Sequence, residues 1–326
     1  MARSQKLEEI QAKLAQIRDT PTSEASIATL REVLTSKNSV AIAQAAKMVG
    51  EFALTQLIPE LVAAFARMMV NPTKTDCGCL AKKEIAEALY RLEYSEESLF
   101  LQGIRHVQME PIWGGKDDTA AHLRGVCALG LVRMNYANVM SELADLLADP
   151  KPEARVAAAR AIAYTANPDT APLLRLRVRI GDEPQVLSEC LIALLKLAPV
   201  QSLPVLKHCL YARKEPLNLA EDAETAEVAA LALAESRLPE ALDILRSWWE
   251  QVKAVELRRT GLLAIATLRD DEALEFLLSL VAEGKTSDAK DVIAALSIYR
   301  QDERLWQRVR QSVEERGNAS LIKEIE

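Results

Sequence analysis

One short apolar motif recurs along the chain and limits the folds that the sequence can adopt. Each copy has an Ala, then a large apolar residue, then another apolar or small residue three positions later. The copies are Ala88-Leu89 with Leu92, Ala128-Leu129 with Val132, Ala161-Ile162 with Thr165, Ala193-Leu194 with Leu197, Ala264-Ile265 with Leu268, and Ala295-Leu296 with Tyr299. With Val49 before them and Leu231 or Leu233 in the gap, the steps are about 31 to 40 residues long, which is typical of stacked supersecondary units.

Other segments with a helical pattern lie between the copies of this motif. One of them places Leu57, Leu61, Phe65 and Met68 on a single helical face. Each unit is therefore predicted to be a helical hairpin, which gains a core by stacking on its neighbours. The composition agrees, because only 11 Gly and 4% aromatic residues in 326 leave few turn-formers for a sheet. The predicted fold is all-α, an α-solenoid of about eight stacked helical hairpins.

The repeat also sets the expected organisation of the chain. We expect a single solenoid over residues 1–326, with a capping helix in 1–21 and capping helices in 301–326. The hairpins between them are predicted at about 22–54, 55–94, 95–135, 136–167, 168–198, 199–236, 237–269 and 270–300.

The sharpest unit is LADPKPEARVAAARAIAYTANPDTAPLL, residues Leu147–Leu174. Asp149-Pro150 closes its first helix, Arg155 enters the second, and small residues run over Ala157–Ala163. This unit resembles the HEAT repeat, in the short form also called the bilin-lyase HEAT-like repeat. The resemblance implies an α-solenoid whose second helices line a concave surface, with acidic and basic side chains forming a ladder along the stack.

Three consecutive units place an acid six residues before a base. The pairs are Asp76 and Lys82, Asp118 and Arg124, and Asp149 and Arg155. The acid falls in the loop between two helices and the base near the start of the second helix. We expect a structural role for all six residues, as helix caps and ion pairs between repeats.

Charge and cysteine content indicate the compartment and limit the partners. The net charge is -7, with 47 acids against 40 bases, which disfavours nucleic acid as a partner. The first residues are charged throughout, and the longest stretch without a charged residue, 197–206, is about half of what a membrane span needs. Five Cys are typical of free thiols. We expect a cytoplasmic protein that does not associate with a membrane.

Two insertions lengthen adjacent units to about 40 residues, at 71–80 and 107–122. Thiols and imidazoles gather in or beside them. Cys77, Cys79, His106 and His122 could hold zinc tetrahedrally, although the C-x-C spacing is tighter than that of a zinc knuckle. The alternatives are that these side chains are simply packed, or that Cys77 is a thiol activated by a neighbouring base. No cofactor is expected, and zinc is the alternative.

The second insertion is the stronger candidate for binding. Trp113, followed by Gly114 and Gly115, places an aromatic side chain in a turn where the backbone can be approached closely. Glu110 lies in the same loop. On the second helices, Arg91 and Arg133 are further candidates for contact with a partner, because the resemblance implies that these helices line the concave surface.

Two further segments stand out. Residues Tyr211–Thr225 form a third insertion, which we expect to be a solvated loop. Residues 173–180 are predicted to be a helix with Arg175 and Arg179 one turn apart, on a solvated basic face.

These patterns favour a non-catalytic scaffold or adaptor that binds a protein partner through its concave face and the loops 71–80 and 107–122. No pair of carboxylates, Ser-His-Asp constellation or phosphate-binding glycine loop can be placed in the sequence. The resemblance to bilin lyases implies an alternative, the attachment or isomerisation of a chromophore with a partner subunit. A zinc- or thiol-dependent activity at Cys77, Cys79, His106 and His122 is a further alternative.

Overall fold

The computed structural model describes residues 2–211 and 219–325, which are helical apart from turns and one β-hairpin. The chain forms two compact units, Met1–Ala166 and Asn167–Glu326.

The first unit contains four helical hairpins and the β-hairpin. Its elements are α1 (Ala2–Gln16), α2 (Glu24–Thr35), α3 (Ser39–Glu51), α4 (Ile58–Met69), α5 (Pro72–Thr75), α6 (Leu80–Arg91), α7 (Glu97–Ile104), β1 (Met109–Ile112), β2 (Gly115–Asp118), α8 (Ala121–Arg133), α9 (Val139–Leu147) and α10 (Pro152–Tyr164). The second helices pack in one row, α3 on α6, α6 on α8 and α8 on α10.

The second unit repeats the same plan. Its helices are α11 (Ala171–Ile180), α12 (Pro184–Leu197), α13 (Pro199–Tyr211), α14 (Leu219–Ser236), α15 (Pro239–Gln251), α16 (Val255–Thr267), α17 (Asp271–Glu283), α18 (Thr286–Leu296), α19 (Glu303–Arg316) and α20 (Ala319–Ile325). Again the second helices form a row, from α12 through α14, α16 and α18 to α20.

A repeated turn ends the second helices. Six of them are followed by a residue in the left-handed region that is not glycine: Ala53, Glu93, Asn135, Ala166, Arg237 and Arg269. In the first unit the next N–H donates to a carbonyl five residues back, for example Leu54 to Val49 and Tyr94 to Leu89, at 3.0 Å each. These bonds satisfy carbonyl groups that the end of a helix leaves without partners.

Small residues allow the rows of second helices to pack closely. A Cβ added to Gly125 of α8 would lie only 2.5 Å from the Cβ of Ala157 of α10. The continuous core on either side is built from Leu and Ile, as at Leu89, Leu131 and Ile162, which are buried. The abundance of Ala and Leu therefore follows from the stacking of hairpins.

The predicted fold class is confirmed, since each predicted repeat range holds one helical hairpin. The prediction of a plain loop over 107–122 is wrong, because residues 109–118 form the β-hairpin. Within the third insertion, residues 212–218 lie outside the described residues, and α14 already begins at Leu219. A single solenoid over 1–326 stays a prediction.

Candidate functional site

The two insertions of the first unit lie against each other. The first forms α5 and a 3-10 turn at Cys77–Cys79, and the second forms β1 and β2. In the β-hairpin, Ile112 pairs with Gly115 and Met109 pairs with Asp118, which leaves Trp113 and Gly114 as the turn. Gly114 has a φ of 87°, in a region that favours glycine, and this explains why the tight turn carries glycine after the tryptophan.

The carboxylate of Glu110 joins the two insertions. It accepts hydrogen bonds from the Gly78 N–H at 2.8 and 3.0 Å, from the Cys77 thiol at 3.2 Å and from the Thr119 hydroxyl at 3.2 Å. The side-chain amide of Gln108 donates a further hydrogen bond to it. Glu110 is only 7% exposed, so each of these bonds replaces a bond to water.

The environment of Glu110 shifts two pKa values in opposite directions. Burial opposes ionisation of Glu110, but the hydrogen bonds from Gln108, Gly78, Cys77 and Thr119 hold its pKa below the usual value. The same carboxylate, as acceptor and as a nearby negative charge, raises the pKa of the Cys77 thiol. The hypothesis of an activated thiol at Cys77 is therefore not supported, because its neighbour disfavours the thiolate.

A buried ion pair lies next to the contact between the two insertions. The ammonium of Lys82 lies 2.9 Å from a carboxylate oxygen of Asp76, and neither side chain is exposed. Asp76 also accepts from the N–H groups of Ala81 and Lys82, at 2.8 and 2.9 Å, and so caps the start of α6. Its backbone carbonyl accepts from Gln108 at 2.8 Å, which ties the pair to the second insertion.

The next two acids share one base. Arg124 lies 2.7 Å from Asp118, in its own helical hairpin, and 2.8 Å from Asp149, in the following hairpin. Arg155 donates to the backbone carbonyls of Asp149 and Pro150, at 2.8 and 3.0 Å. The six residues that we singled out by spacing thus belong to one set of contacts across three hairpins, in which Gln108 links Asp76 to Asp118.

The four residues predicted as zinc ligands are not brought together. Cys79 is buried, and burial raises its pKa to about 12. His106 bonds to the side chain of Gln108 at 3.1 Å, and its pKa is lowered, mainly by burial. His122 is exposed, and Cys77 points at Glu110. Across residues 2–211 and 219–325, no group of three or more His, Cys, Asp or Glu could hold a metal ion.

Trp113 lies at the turn of the β-hairpin, and its side chain projects into solvent. Its side chain is fully exposed, at 102% of the reference surface, and Gly114 and Gly115 have open space beside them. Trp248, Trp249 and Trp306 are all buried. An exposed indole on a fixed turn is a typical anchor in a protein interface.

Other exposed apolar side chains surround the insertions in the sequence. Of 16 large hydrophobic residues that are exposed among the described ones, six lie between residues 70 and 113: Val70, Leu80, Val107, Met109, Ile112 and Trp113. We call these six residues the insertion surface. This density is what marks a contact region, since single exposed apolar residues are ordinary.

The remaining predicted contact residues have internal partners. Glu110 is buried and accepts hydrogen bonds within the protein, and its contact with a partner stays a prediction. Arg133 donates to the backbone carbonyls of Tyr90 and Tyr94 and lies over the ring of Tyr90. Arg91 is partly exposed and pairs with Glu87 at 3.1 Å. Arg91 thus remains accessible, whereas Arg133 mainly joins α6 to α8.

Sequence reasoning missed Gln108 and Thr119, which complete the set of donors around Glu110. Both are uncharged, and their role depends on how the chain folds: Gln108 reaches the backbone of Asp76, 32 positions earlier, and Thr119 reaches Glu110 across the hairpin. The exposure of the insertion surface was missed for the same reason. A visible signal was the run of apolar residues within a polar insertion, Val107, Met109 and Ile112.

Comparison with known proteins gives one family match. Residues 140–220 match the model of HEAT repeats. No curated protein matches the sequence. In the part of the chain that the structure describes, no helix is long and apolar enough to cross a membrane.

Three solved structures are similar at low identity. The complex of CpcE and CpcF of phycocyanin lyase from Nostoc shares 15% identity over 90% of this chain and 93% of that one, with a TM-score of 0.35. Human deoxyhypusine hydroxylase in complex with glycerol shares 16% over 82% and 97%, with a TM-score of 0.31. An engineered protein shares 15% over 96% and 90%, with a TM-score of 0.33. Scores this low carry no inference about function, so they lend no support to the bilin-lyase alternative. The family match places HEAT repeats at residues 140–220, and the helical hairpins on either side of this range have the same plan.

Proposed function

We propose that this chain is a non-catalytic scaffold that binds a protein partner through the insertion surface, with Trp113 as the anchor. The observation that carries the proposal is the fully exposed indole on a hairpin that is fixed from below by Glu110. An anchor that is already held in place loses little conformational freedom on binding, and this is how a single aromatic side chain supports a useful affinity.

The backbone of the hairpin favours recognition through side chains. Pro111 in β1 has no N–H to donate to an added strand, and Lys116 in β2 places a charge at the other strand. Both features are typical of edges that resist strand addition. We therefore expect a partner with a recess that takes the indole, and close backbone approach at Gly114 and Gly115.

The carboxylates of the two insertions are engaged within the protein. Asp76 and Asp118 are in buried or nearly buried ion pairs, Asp117 pairs with Lys151 at 2.5 Å, and Glu110 is buried. These groups support the site rather than offering the pairs of free acids that general acid–base chemistry requires. This distribution favours a binding role over catalysis.

Affinity capture with the full-length chain tests the proposal. The wild type, Trp113→Ala and Trp113→Phe are immobilised and exposed to extract from the source cells, and bound proteins are identified after cross-linking. We expect a reproducible protein that is lost with Trp113→Ala and partly retained with Trp113→Phe. Ile298→Ala, which removes an exposed apolar side chain in the second unit, is the control and should retain it.

Two results would count against the proposal. Equal recovery with wild type and Trp113→Ala would remove the hairpin from the interface. Recovery of no protein above the level of an unrelated bait would remove the scaffold function itself. The partner's location in the cell would also test the expected cytoplasmic localisation.

A further inference from the structure

Four first helices of the second unit, α11, α13, α15 and α17, divide into two pairs of opposite charge. Helices α11 and α13 contain no Asp or Glu, whereas α17 contains no Lys or Arg. Helix α15 has one base, Arg246, and this base pairs with Glu250 at 3.3 Å. The chain carries a net charge of -7, so a surface without acids is unusual within it.

The basic group also exposes large apolar side chains. We call Arg175, Arg179 and Lys207, together with Leu176, Ile180 and Val200, the cationic face. The three apolar residues are 57%, 66% and 62% exposed, and the three bases are exposed as well. None of the three bases has a hydrogen-bond or ion-pair partner among residues 2–211 and 219–325, because the nearby Asp182 bonds to Arg177 instead.

Helices α15 and α17, the acidic group, carry exposed carboxylates that are also unpaired. We call Glu240 and Asp243 of α15, with Asp271, Glu272 and Glu283 of α17, the acidic face. All five are exposed, and they have no ion-pair partner among the described residues. Glu250 and Glu275 are left out because they already pair with Arg246 and Arg308.

We propose that copies of this chain associate head to tail, with the cationic face of one copy on the acidic face of the next. Charge complementarity selects the second copy as the occupant, since two unpaired guanidinium groups one helical turn apart on α11 match the free carboxylates of α15 and α17. Contact between two cationic faces would juxtapose like charges, so a symmetric dimer through this surface is disfavoured. Burial of Leu176, Ile180 and Val200 supplies the apolar part of the contact.

This arrangement predicts an association that depends on salt and concentration. Sedimentation velocity of the full chain should show an average mass above the 36.0 kDa monomer as concentration rises at low NaCl, and a return toward it at high NaCl, because salt screens exposed charges. Arg175→Glu with Arg179→Glu, and separately Asp243→Lys with Glu272→Lys, should each weaken association by about tenfold. An equimolar mixture of these two variants should associate again, because each supplies the face that the other lacks.

The control keeps the change in net charge but moves it elsewhere. Arg18→Glu with Lys37→Glu alters two exposed bases of the first unit by the same amount, and association should stay close to that of the wild type. A chain that is monomeric at low salt at every concentration overturns the proposal. So does a mixture that fails to associate, or a control that loses as much as the Arg175 and Arg179 variant. Trp113 takes no part in these measurements, so either proposal can fail alone.

Discussion

Replacement of Glu110 by glutamine tests how the two insertions are held together. The substitution keeps the shape of the side chain but removes its charge and converts one oxygen to an N–H donor. One carboxylate oxygen accepts from Gly78 at 2.8 Å, from Thr119 at 3.2 Å and from the amide of Gln108. The other accepts from Gly78 at 3.0 Å and from the Cys77 thiol at 3.2 Å. The side-chain oxygen of glutamine can replace the first carboxylate oxygen, but its NH2 group then takes the place of the second oxygen.

The expected loss follows from these contacts. A hydrogen bond to a charged acceptor contributes about 1.5–3 kcal/mol, roughly twice as much as a neutral one. Glu110→Gln keeps the bonds at one oxygen in weaker, neutral form and loses the Cys77 bond. We expect the contact between the insertions to lose about 2 kcal/mol, which corresponds to about a 30-fold larger open population.

Hydrogen exchange at the Gly78 amide measures this opening directly, because that N–H is bonded to Glu110 in the closed form. Exchange should accelerate by about 30-fold in Glu110→Gln. Glu84→Gln is the control, since Glu84 is a partly exposed carboxylate on α6 that pairs with the adjacent Lys83. The thiol of Cys77 should also react faster with a thiol reagent in Glu110→Gln, because the carboxylate that raises its pKa is gone.

The pH dependence has a definite sign. Because the folded-state pKa of Glu110 lies below its ordinary value of 4.5, its stabilising effect is complete above that value and is lost as the pH falls through the lower, folded pKa. Wild-type protection of Gly78 should therefore decline in acid below about pH 4.5, and that of Glu110→Gln should lack this component. Equal exchange rates in the two proteins, or the same acid dependence, would refute the role assigned to Glu110.

Three further predictions concern other parts of the molecule. Gly125→Ala should destabilise the first unit by about 1–3 kcal/mol in chemical denaturation, because overpacking against Ala157 outweighs the gain of about 1 kcal/mol in helix propensity. The double variant with Ala157→Gly should recover most of this loss. Lys82→Met should cost about 3–5 kcal/mol by leaving the Asp76 carboxylate buried without its partner, and the double variant with Asp76→Asn should lose less than that. In acrylamide quenching, one strongly quenched component of the tryptophan fluorescence should disappear in Trp113→Phe, and its persistence would show that the indole is not exposed.

The fold was predictable because it depends on a pattern repeated many times. A period near 32 residues, with a small residue at a fixed place, follows from the stacking of second helices, as at Gly125 and Ala157. Loss of the motif in one unit, such as the gap near Leu231, does not hide the period. The ladder was predictable in part, since an acid at an inter-helix loop and a base six residues later lie on adjacent elements.

The site was predictable in composition but not in arrangement. The sequence shows that Cys, His, Trp and Gly gather in the two insertions, yet it does not show that Glu110 is buried against Gly78. Thirty-two residues separate these groups, and no local preference encodes their contact. The same limit applies to the β-hairpin, whose register depends on one glycine turn, and to Arg124, which pairs with Asp149 of the next helical hairpin as well as with Asp118.

The contacts below the hairpin bear directly on how Trp113 can bind. A tryptophan on a mobile loop would have to become ordered together with its backbone, at a cost of about 1–2 kcal/mol for each residue fixed. Here Glu110 and Gln108 bond to the α5–α6 connection, and Thr119 bonds to both of them from the end of β2, so much of that cost is met by folding. The buried polar network around Glu110 therefore fixes the hairpin that presents the exposed indole of Trp113 to the partner. A scaffold needs such rigidity at the contact, since the affinity of a small surface depends more on preorganisation than on area.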